Sequence, residues 1–281
     1  MTTFTTTATI RRRSNWLLTA LLLAGSFVIL VPLYLTIVTA LKTPAEMRTN
    51  LWGLPTVWHW ENLATAVSVT DFPRALANSA FVTILTVVLT VLSNSLVGYA
   101  IARNMHKRSF KFLFFYFVSA LFIPFPIIML PLVKQMSILH LDNLIGLVVM
   151  YVVFNLAFNV LLYTGYLQTI PKELEEAAKI DGAGVWTTYW RVIFPLLMPV
   201  NATVAILTAL GTWNDFLGPL VILSDDSSYT LPLVQYAFQS QFSTNYNLAF
   251  ASYLLALAPM LIIYLIAQRW IVGGIVQGAL K

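Results

Sequence analysis

The segment PKELEEAAKIDGAGVWTTYWRVIFPLLMP, residues Pro171–Pro199, lies between two long apolar runs of the chain. It holds three glutamates, two lysines, an aspartate and an arginine. Apolar runs of this length can lie in a membrane, whereas a segment so rich in charge is costly to bury there. We therefore predict a polar helical hairpin at about residues 168–191, placed outside the membrane where another protein can bind it.

The residue pattern of this hairpin predicts two short helices joined at Gly182. Pro171 suits the first helical position, because its missing N–H would be unpaired there anyway. The glutamates follow in the opening turns, where the positive end of the helix dipole favours carboxylates. Gly182 can adopt the left-handed conformation that ends a helix. The second piece is predicted to be an amphipathic helix at the membrane surface, with its apolar groups at Trp186, Tyr189, Trp190 and Ile193.

The composition of the whole chain places it in a membrane. Of its residues, 59% are hydrophobic and 10% are charged, and the mean hydropathy is +0.80. Soluble domains carry roughly 25% charged residues. The sequence contains no cysteine, which excludes disulfides, thiol nucleophiles and thiolate metal sites.

Six apolar runs are near the length of about 20 residues that a bilayer core demands, so we predict an all-α protein with six transmembrane helices. The first run is too long for the core of a signal peptide, and no A-x-A cleavage site follows it. The fifth is too long for one straight span and contains Pro219, which predicts a break or a re-entrant piece. The predicted spans are Trp16–Ala40, Asn78–Ala102, Phe110–Val133, Leu144–Leu167, Val192–Leu223 and Leu248–Ala267.

The distribution of lysine and arginine predicts the orientation of these spans. With the N-terminus inside, 12 of the 16 basic residues face the cytoplasm, as the positive-inside rule expects. The chain then divides into a cytoplasmic tail at 1–15, a six-helix membrane domain at 16–270 that includes the cytoplasmic hairpin, and a cytoplasmic tail at 271–281. The basic residues that remain outside are Lys42, Arg48, Arg74 and Lys134.

Two longer loops are predicted on the outside. The loop at 42–77 carries Trp52, Trp58 and Trp60, which suit an anchor at the membrane interface, with contact to a partner as the alternative. The loop at 224–247 is rich in Ser, Gln, Asn, Tyr and Phe, which can hydrogen-bond to a ligand and stack on it, although any exposed polar loop has a similar composition. Because the basic residues lie mostly in short loops, the net charge of +5 indicates topology, and no nucleic-acid partner is expected.

Several residues of the hairpin resemble the signature of ABC importer permeases. They are Glu176, Ala177 and Ala178, then Gly182, and after nine further residues Val192, Phe194 and Pro195. The family usually has Ile and Leu where Val192 and Phe194 stand, and often Ser where Gly184 stands. Further matches look like the carbohydrate-uptake branch, close to the smaller permease of maltose-type systems, at Trp213, Asn214, Phe216, Pro219, Leu220, Gln268, Arg269, Gly273, Gly278, Ala279 and Lys281.

The resemblance implies the permease subunit of a binding-protein-dependent sugar importer, for an oligosaccharide, in the bacterial cytoplasmic (inner) membrane. It implies alternating access and, as partners, a second homologous permease, two ATP-binding subunits and an extracytoplasmic solute-binding protein, besides membrane lipid. It also implies which residues couple the chain to the ATPase. Polar contacts are expected from Glu173, Glu175, Glu176, Lys179 and Asp181, with close approach at Ala177, Ala178 and Gly182.

The sequence offers no recognisable catalytic site of its own. Its three histidines, His59, His106 and His140, all fall in predicted loops, and neither H-E-x-x-H nor G-x-S-x-G occurs. It also lacks a P-loop, so ATP and magnesium are expected on partner subunits, with no cofactor or metal on this chain. We predict a transport component and not an enzyme.

One charge, Asp215, lies inside a predicted span, next to Trp213 and Asn214. A charge at membrane depth is costly and generally faces a cavity or a partner. An ion-coupled secondary transporter or channel could use Asp215 for a proton or a cation, and this is the alternative function. Its place in the run Trp-Asn-Asp-Phe favours instead a polar structural node beside the translocation path.

Overall fold

The computed structural model describes residues 16–241 and 246–279. Within those residues every regular element is a helix, in agreement with the all-α prediction. The predicted tail at 1–15 lies outside the described residues. The helices are α1 (Trp16–Ala40), α2 (Pro44–Thr49), α3 (Glu61–Val69), α4 (Phe72–Asn104), α5 (Arg108–Ser119), α6 (Phe125–Ile138), α7 (Leu144–Leu167), α8 (Glu173–Ile180), α9 (Val185–Thr188), α10 (Phe194–Leu196), α11 (Met198–Asn214), α12 (Leu217–Ile222), α13 (Leu231–Gln241) and α14 (Tyr246–Ala279), with 3₁₀ turns at Ala120–Phe122 and Asp226–Ser228 and a π-helical turn at Tyr189–Ile193.

Helix α1 is continuous and has the bounds that were predicted for the first span. It continues through Pro32, whose carbonyl accepts a hydrogen bond from Thr36 Oγ1 at 2.8 Å. Only the last three residues of α1 are buried, where Ala40 packs with Ala66 of α3 and Ala251 of α14. The rest of this apolar helix is largely exposed, which is stable only against lipid or another apolar surface.

Helices α4 and α7 form the centre of the molecule, and α11 packs against both of them. They approach closely at Gly98 of α4, where an added Cβ would lie 2.4 Å from the Cβ of Tyr163 on α7. Further along both helices, the side chain of Arg103 reaches the carbonyl of Leu167, so the two helices run parallel. The pair is a frame that connects the hairpin to the opposite end of the bundle.

The predicted third span, Phe110–Val133, is bent. The run of α5 and its 3₁₀ turn meets α6 at 106°. Ile123 is extended, with φ −93° and ψ 109°, because a residue that precedes a proline avoids the helical conformation. Pro124 and Pro126 follow it, and the prediction of this span did not include the bend that these prolines introduce.

The predicted fifth span, Val192–Leu223, is interrupted twice. The helical run Val185–Leu196 meets α11 at 74°. A second break follows α11, where Asp215 is extended, with φ −71° and ψ 131°. The predicted break at Pro219 therefore occurs earlier in the chain, since Pro219 lies in the first turn of α12, where a missing N–H leaves no helical bond unmade.

Three helices, α1, α4 and α7, are each long and apolar enough to cross a membrane, and up to five spans result if each bent pair is one. Among the described residues, Tyr246–Ile262 is a shorter apolar part of α14. The six predicted spans thus correspond to three straight helices, two bent pairs and α14. Because α14 reaches Ala279, the predicted tail at 271–281 is helical as far as that residue.

Candidate functional site: the polar hairpin and the Asp215 break

The first arm of the hairpin is α8, and Gly182, two residues after its last residue Ile180, terminates it as predicted. The N–H of Gly182 donates to the Lys179 carbonyl at 3.0 Å, and the N–H of Ala183 donates to the Ala178 carbonyl at 2.9 Å. This pair of bonds is the Schellman motif, which closes a helix on a left-handed residue. Gly182 has a φ of +82°, and no heavy atom lies within 4 Å of the position a Cβ would take there. The backbone conformation, and not a lack of space, therefore requires glycine.

Helix α8 begins later than predicted. Its first residue is Glu173, and the carbonyl of Lys172 accepts from the N–H groups of Glu175 and Glu176 at 2.9 and 3.1 Å. Pro171 therefore precedes the helix and does not open it. All three glutamates lie in the first turn, where the helix dipole favours carboxylates.

The outer face of the hairpin, which we call the hairpin surface, combines apolar and charged groups. Its exposed apolar side chains are Leu174, Ile180, Val185 and Trp186, which are 42%, 86%, 67% and 66% exposed. Around them lie the exposed residues Glu173, Glu176, Ala177, Lys179, Asp181 and Gly182, with Ala178 half-buried. An exposed apolar patch with a polar rim is typical of a surface that binds another protein.

Glu175 points away from the hairpin surface and into the subunit. Its Oε1 accepts a hydrogen bond from Arg103 Nε at 2.5 Å, and its Oε2 accepts one from the Tyr99 hydroxyl at 2.8 Å. The side chains of Arg103 and Glu175 are only 12% and 13% exposed. The expected contact of Glu175 with an ATPase groove is therefore revised, since this carboxylate holds α8 against α4.

Arg103 also reaches the end of α7. Its Nη1 donates to the Leu167 carbonyl at 2.9 Å and its Nη2 to the Ile170 carbonyl at 3.2 Å. Carbonyls at and just beyond the last turn of a helix lack partners within that helix, so the guanidinium satisfies them. One side chain thus joins α4, α7 and α8. We call Arg103, Tyr99 and Glu175 the clamp, and the contacts that join them were not predicted from the sequence.

The second arm of the hairpin begins the helical run Val185–Leu196, and the prediction of one apolar face on it was wrong. Tyr189 and Ile193 are buried, whereas Trp186 and Trp190 are 66% and 40% exposed, so the predicted apolar face is divided between core and surface. The hydroxyls of Tyr189 and Ser95 share a hydrogen bond of 2.7 Å. The π-helical turn rotates the arm here, because π geometry takes more residues per turn than α geometry.

At the other end of α11, Asp215 occupies the break before α12. Its Oδ2 accepts from the Tyr151 hydroxyl at 2.7 Å and from the Gly218 N–H at 3.1 Å. Its Oδ1 accepts from the Leu217 N–H at 3.2 Å. Gly218 fits closely, since a Cβ there would lie 2.5 Å from Asp215 Oδ2. Protein donors thus bind both carboxylate oxygens, which favours the structural node over an ion site.

Trp213 and Asn214 do not join Asp215 in one cluster. Trp213 is buried, at 7% exposure, in an apolar cluster with Ala75 and Leu231. Asn214 is exposed, and its Nδ2 donates to the Leu210 carbonyl at 2.8 Å. Both side chains line a small cavity between α11, α13 and α14.

Two carboxylates on the predicted outer side are held by local bonds. The hydroxyl and N–H of Ser227 donate to Asp225 and lower the pKa of its carboxyl group. A hydrogen bond to His59 likewise lowers the pKa of Glu61. Over residues 16–241 and 246–279, no group of three or more His, Cys, Asp or Glu side chains lies close enough to hold a metal ion.

Replacing Asp215 by leucine is expected to abolish transport, because the Tyr151 hydroxyl and two N–H groups then lose their acceptor. Tyr151 is buried, and leaving a buried polar group unpaired costs about 1–3 kcal/mol. Asp215→Asn keeps one acceptor oxygen at the same size and should retain part of the uptake. The measurement is sugar uptake per amount of subunit in the membrane, with Asp142→Asn on the exposed outer side as the matched control. Equal loss in the asparagine and leucine variants would contradict the structural role.

Long apolar helices, bent helix pairs and a polar hairpin fixed to the central helix pair define a polytopic helical membrane protein with an exposed polar hairpin. Residues 94–277 match the family of the binding-protein-dependent transport system inner membrane component. The chain belongs to that family. It is therefore an inner-membrane component of a transport system, and not a catalytic enzyme.

Curated relatives match over nearly the whole chain. The "Multiple sugar-binding transport system permease protein MsmG" of Streptococcus mutans is 37% identical over 272 residues, which cover 93% of this chain and 95% of the relative. The "Probable starch degradation products transport system permease protein AmyC" of Thermoanaerobacterium thermosulfurigenes is 36% identical over 267 residues, which cover 95% and 97%.

Solved structures have the same fold. A chain of a bacterial ABC transporter involved in the import of the acidic polysaccharide alginate superposes with a TM-score of 0.73 at 23% identity, over 96% of this chain and 99% of that one. A chain of a bacterial alginate ABC transporter, in complex with a periplasmic protein that binds an alginate pentasaccharide, gives 0.62 at 18% identity. These likenesses confirm the permease fold that the sequence analysis expected.

Proposed function

We propose that the chain is the permease subunit of an ATP-driven, binding-protein-dependent importer of a sugar, with an oligosaccharide as its expected cargo. The observation that carries the proposal is the hairpin surface with the clamp behind it. The hairpin surface is bonded through Arg103 to α4 and to the end of α7, so a force applied to the hairpin reaches these two membrane helices. The relatives named for multiple sugars and for starch degradation products support the sugar class.

The hairpin surface is the proposed contact with an ATP-binding subunit. Its rim supplies charges that can pair in a groove of that subunit, from Glu173, Glu176, Lys179 and Asp181. Ala177, Ala178 and Gly182 have little or no side chain and allow close approach. Ile180 and Trp186 would supply most of the apolar area buried in the contact, since both are more than half exposed in the subunit alone.

The clamp carries movement of the hairpin to the spanning helices. When ATP closes a pair of ATP-binding subunits, the two hairpins that they hold are drawn together. Because Arg103 bonds to Glu175 on α8 and to the carbonyls of Leu167 and Ile170, α4 and α7 follow α8 as one body. The cavity between the paired permeases then changes from inside-facing to outside-facing.

Four further subunits complete the proposed transporter. Two ATP-binding subunits carry ATP and magnesium, a second homologous permease forms the other half of the pathway, and an extracytoplasmic solute-binding protein delivers the sugar. The family description supports dependence on a binding protein. The exposed apolar length of α1 suits lipid or the second permease.

The ion-coupled alternative would need Asp215 to take up and release a proton or a cation. Its two carboxylate oxygens already accept three hydrogen bonds, from the Tyr151 hydroxyl and from the N–H groups of Leu217 and Gly218. These donors stabilise the carboxylate without a bound cation. This arrangement supports the ATP-driven proposal.

Deletion of the gene tests the proposal. Cells that lack this chain should lose uptake of one of the labelled neutral trisaccharides raffinose, maltotriose and arabinotriose. The wild-type gene should restore that uptake, whereas a gene with Glu176→Lys, which reverses a charge on the hairpin surface, should not. Lys172→Gln, an exposed change just before α8, is the matched control and should restore it. Unchanged uptake of every sugar after deletion would refute the proposal.

The proposed orientation is tested with single cysteines, because the natural sequence has none. Ser109→Cys and Thr187→Cys lie on the predicted cytoplasmic side and should resist an impermeant maleimide in intact cells. Ser227→Cys, on the predicted outer side, should react, and all three positions are exposed in the subunit. Permeabilised cells are the control, where all three should react. Labelling of Thr187→Cys in intact cells would reverse the orientation and remove the hairpin from cytoplasmic partners.

A further inference from the structure

A small cavity lies where the end of α11 meets α13 and the first turns of α14. Its volume is about 160 Å³. Trp213 and Asn214 line it from α11, Pro232 and Gln235 from α13, and Tyr253 from α14. Helix α11 ends at the Asp215 break and α13 lies within the predicted second outer loop, so the cavity lies toward the predicted outer side of the membrane domain.

The lining combines flat apolar rings with neutral hydrogen-bonding groups. The phenol of Tyr253 and the ring of Pro232 offer faces on which the C–H face of a sugar ring can lie, beside the largely buried indole of Trp213. Asn214 Nδ2 donates one hydrogen bond to the Leu210 carbonyl and Gln235 Nε2 donates one to the Ser252 carbonyl, so each amide has its oxygen and a second N–H for sugar hydroxyls. Few, separately placed polar groups on an apolar wall are typical of small-molecule sites.

The size of the cavity limits what it can hold. Pockets that enclose a drug-sized ligand measure roughly 300–1,000 Å³. A cavity of about 160 Å³ is too small for a whole oligosaccharide and can take one ring of it. The other rings of the oligosaccharide would lie outside the cavity, against other surfaces of the pathway.

The uncharged lining favours a neutral sugar over an acidic one. Every lining residue within the part of the chain that the structure describes is uncharged. A sugar that carries a carboxylate would enter with no cation to pair it, and an unpaired charge is costly in such surroundings.

We propose that this subunit itself holds a subsite for one ring of an uncharged saccharide, formed by Trp213, Asn214, Gln235 and Tyr253. The proposal rests on the proposed sugar-import function and deepens it, because it assigns direct contact with the cargo to this chain. It also separates the cargo from acidic sugars such as the alginate named for the solved transporters of the same fold.

The test is cysteine protection in the assembled transporter. Gln235→Cys places a thiol in the cavity, and Gln135→Cys, an exposed glutamine on α6, is the matched control. Each variant is alkylated with a small maleimide in the presence of raffinose, maltotriose, arabinotriose or a mannuronate trimer at millimolar concentration. We expect the neutral sugar that the transporter imports to slow alkylation at 235 and not at 135, and the mannuronate trimer to slow neither.

A second measurement keeps the test independent of thiol access. Gln235→Ala and Tyr253→Phe should each lower uptake of the imported sugar about three- to tenfold, the effect of one lost hydrogen bond, while ATP hydrolysis stimulated by the loaded binding protein persists. Protection by the acidic trimer equal to that by the neutral sugar would overturn the assignment of an uncharged cargo. Absence of protection and unchanged uptake, in a transporter whose wild type imports a sugar with ATP, would overturn the subsite alone. A wild type that imports none would overturn the proposed function instead.

Discussion

Replacement of Arg103 by alanine is expected to abolish sugar uptake while the subunit still reaches the membrane. The change removes the guanidinium from Glu175 and from the carbonyls of Leu167 and Ile170. Removing one partner of a buried ion pair leaves an uncompensated charge and costs about 3–5 kcal/mol. The hairpin would then detach from α4 and α7, and closure of the ATP-binding subunits would no longer move the spans. The measurements are uptake, subunit amount in membranes, and stimulation of ATP hydrolysis by the loaded binding protein.

Three further variants separate coupling from general damage. Arg103→Lys keeps the charge but lacks the planar fork that reaches three acceptors, so partial uptake is expected. The double variant Arg103→Ala with Glu175→Ala leaves no unpaired charge and should regain part of the membrane amount but not full coupling. Arg191→Ala changes an exposed arginine on the second arm and is the matched control. Wild-type uptake by Arg103→Ala would show that the clamp does not transmit movement.

Replacement of Gly182 by valine is expected to prevent stable binding of the ATP-binding subunits and to abolish uptake. The φ of +82° at this residue costs an L-amino acid about 1–2 kcal/mol, and a β-branched side chain tolerates it least. The Schellman bonds at Lys179 and Ala178 would open, and the two arms of the hairpin would lose their relative direction. The measurement is recovery of the ATP-binding subunits with an affinity-tagged permease, together with uptake.

Gly184 offers a matched control two positions further on. It also has nothing within 4 Å of a Cβ, but its backbone is extended, with φ −72° and ψ 166°, which suits valine. Gly184→Val should therefore keep the ATP-binding subunits bound. Gly182→Asn should keep them bound as well, since asparagine tolerates the left-handed conformation. If Gly182→Val and Gly184→Val both lose the ATP-binding subunits, side-chain bulk on the hairpin and not backbone conformation decides binding.

The hairpin could be predicted from sequence because its signals are local. The Gly182 terminus and the glutamates of the first turn act on N–H and carbonyl groups a few residues away, so a short segment contains the whole argument. The straight spans α1 and α7 were predicted with their observed bounds for the same reason, since apolar length alone determines them.

The clamp could not be predicted in this way. Arg103 and Glu175 are separated by 72 positions, and Tyr151 and Asp215 by 64. Which of these groups meet depends on how α4, α7 and α11 pack, and that packing is decided by contacts such as Gly98 against Tyr163. A buried charge can be flagged from sequence as needing a partner, but the partner is chosen by the tertiary structure.

The bends in two of the spans could be predicted from the sequence in part. Pro124 and Pro126 are visible in the sequence, and the rule that a residue before proline leaves the helical conformation would have located the bend at Ile123. A break in the fifth span was predicted from its length and from Pro219, and it lies at Asp215 instead. A proline in the first turn of a helix does not interrupt that helix, and only the observed start of α12 shows that Pro219 is in such a turn.

The most direct test of the central claim, that ATP bound by partner subunits drives this permease through its hairpin, is uptake into proteoliposomes. The assembled transporter is reconstituted with ATP and magnesium enclosed, and the sugar-loaded binding protein is added outside. Ionophores remove the proton and sodium gradients, and a non-hydrolysable ATP analogue replaces ATP in a parallel sample. The account predicts uptake that requires ATP hydrolysis, that continues without ion gradients and that is absent in Arg103→Ala and Gly182→Val. Uptake that stops when the gradients collapse, despite enclosed ATP, would contradict the account and favour an ion-coupled transporter that uses Asp215.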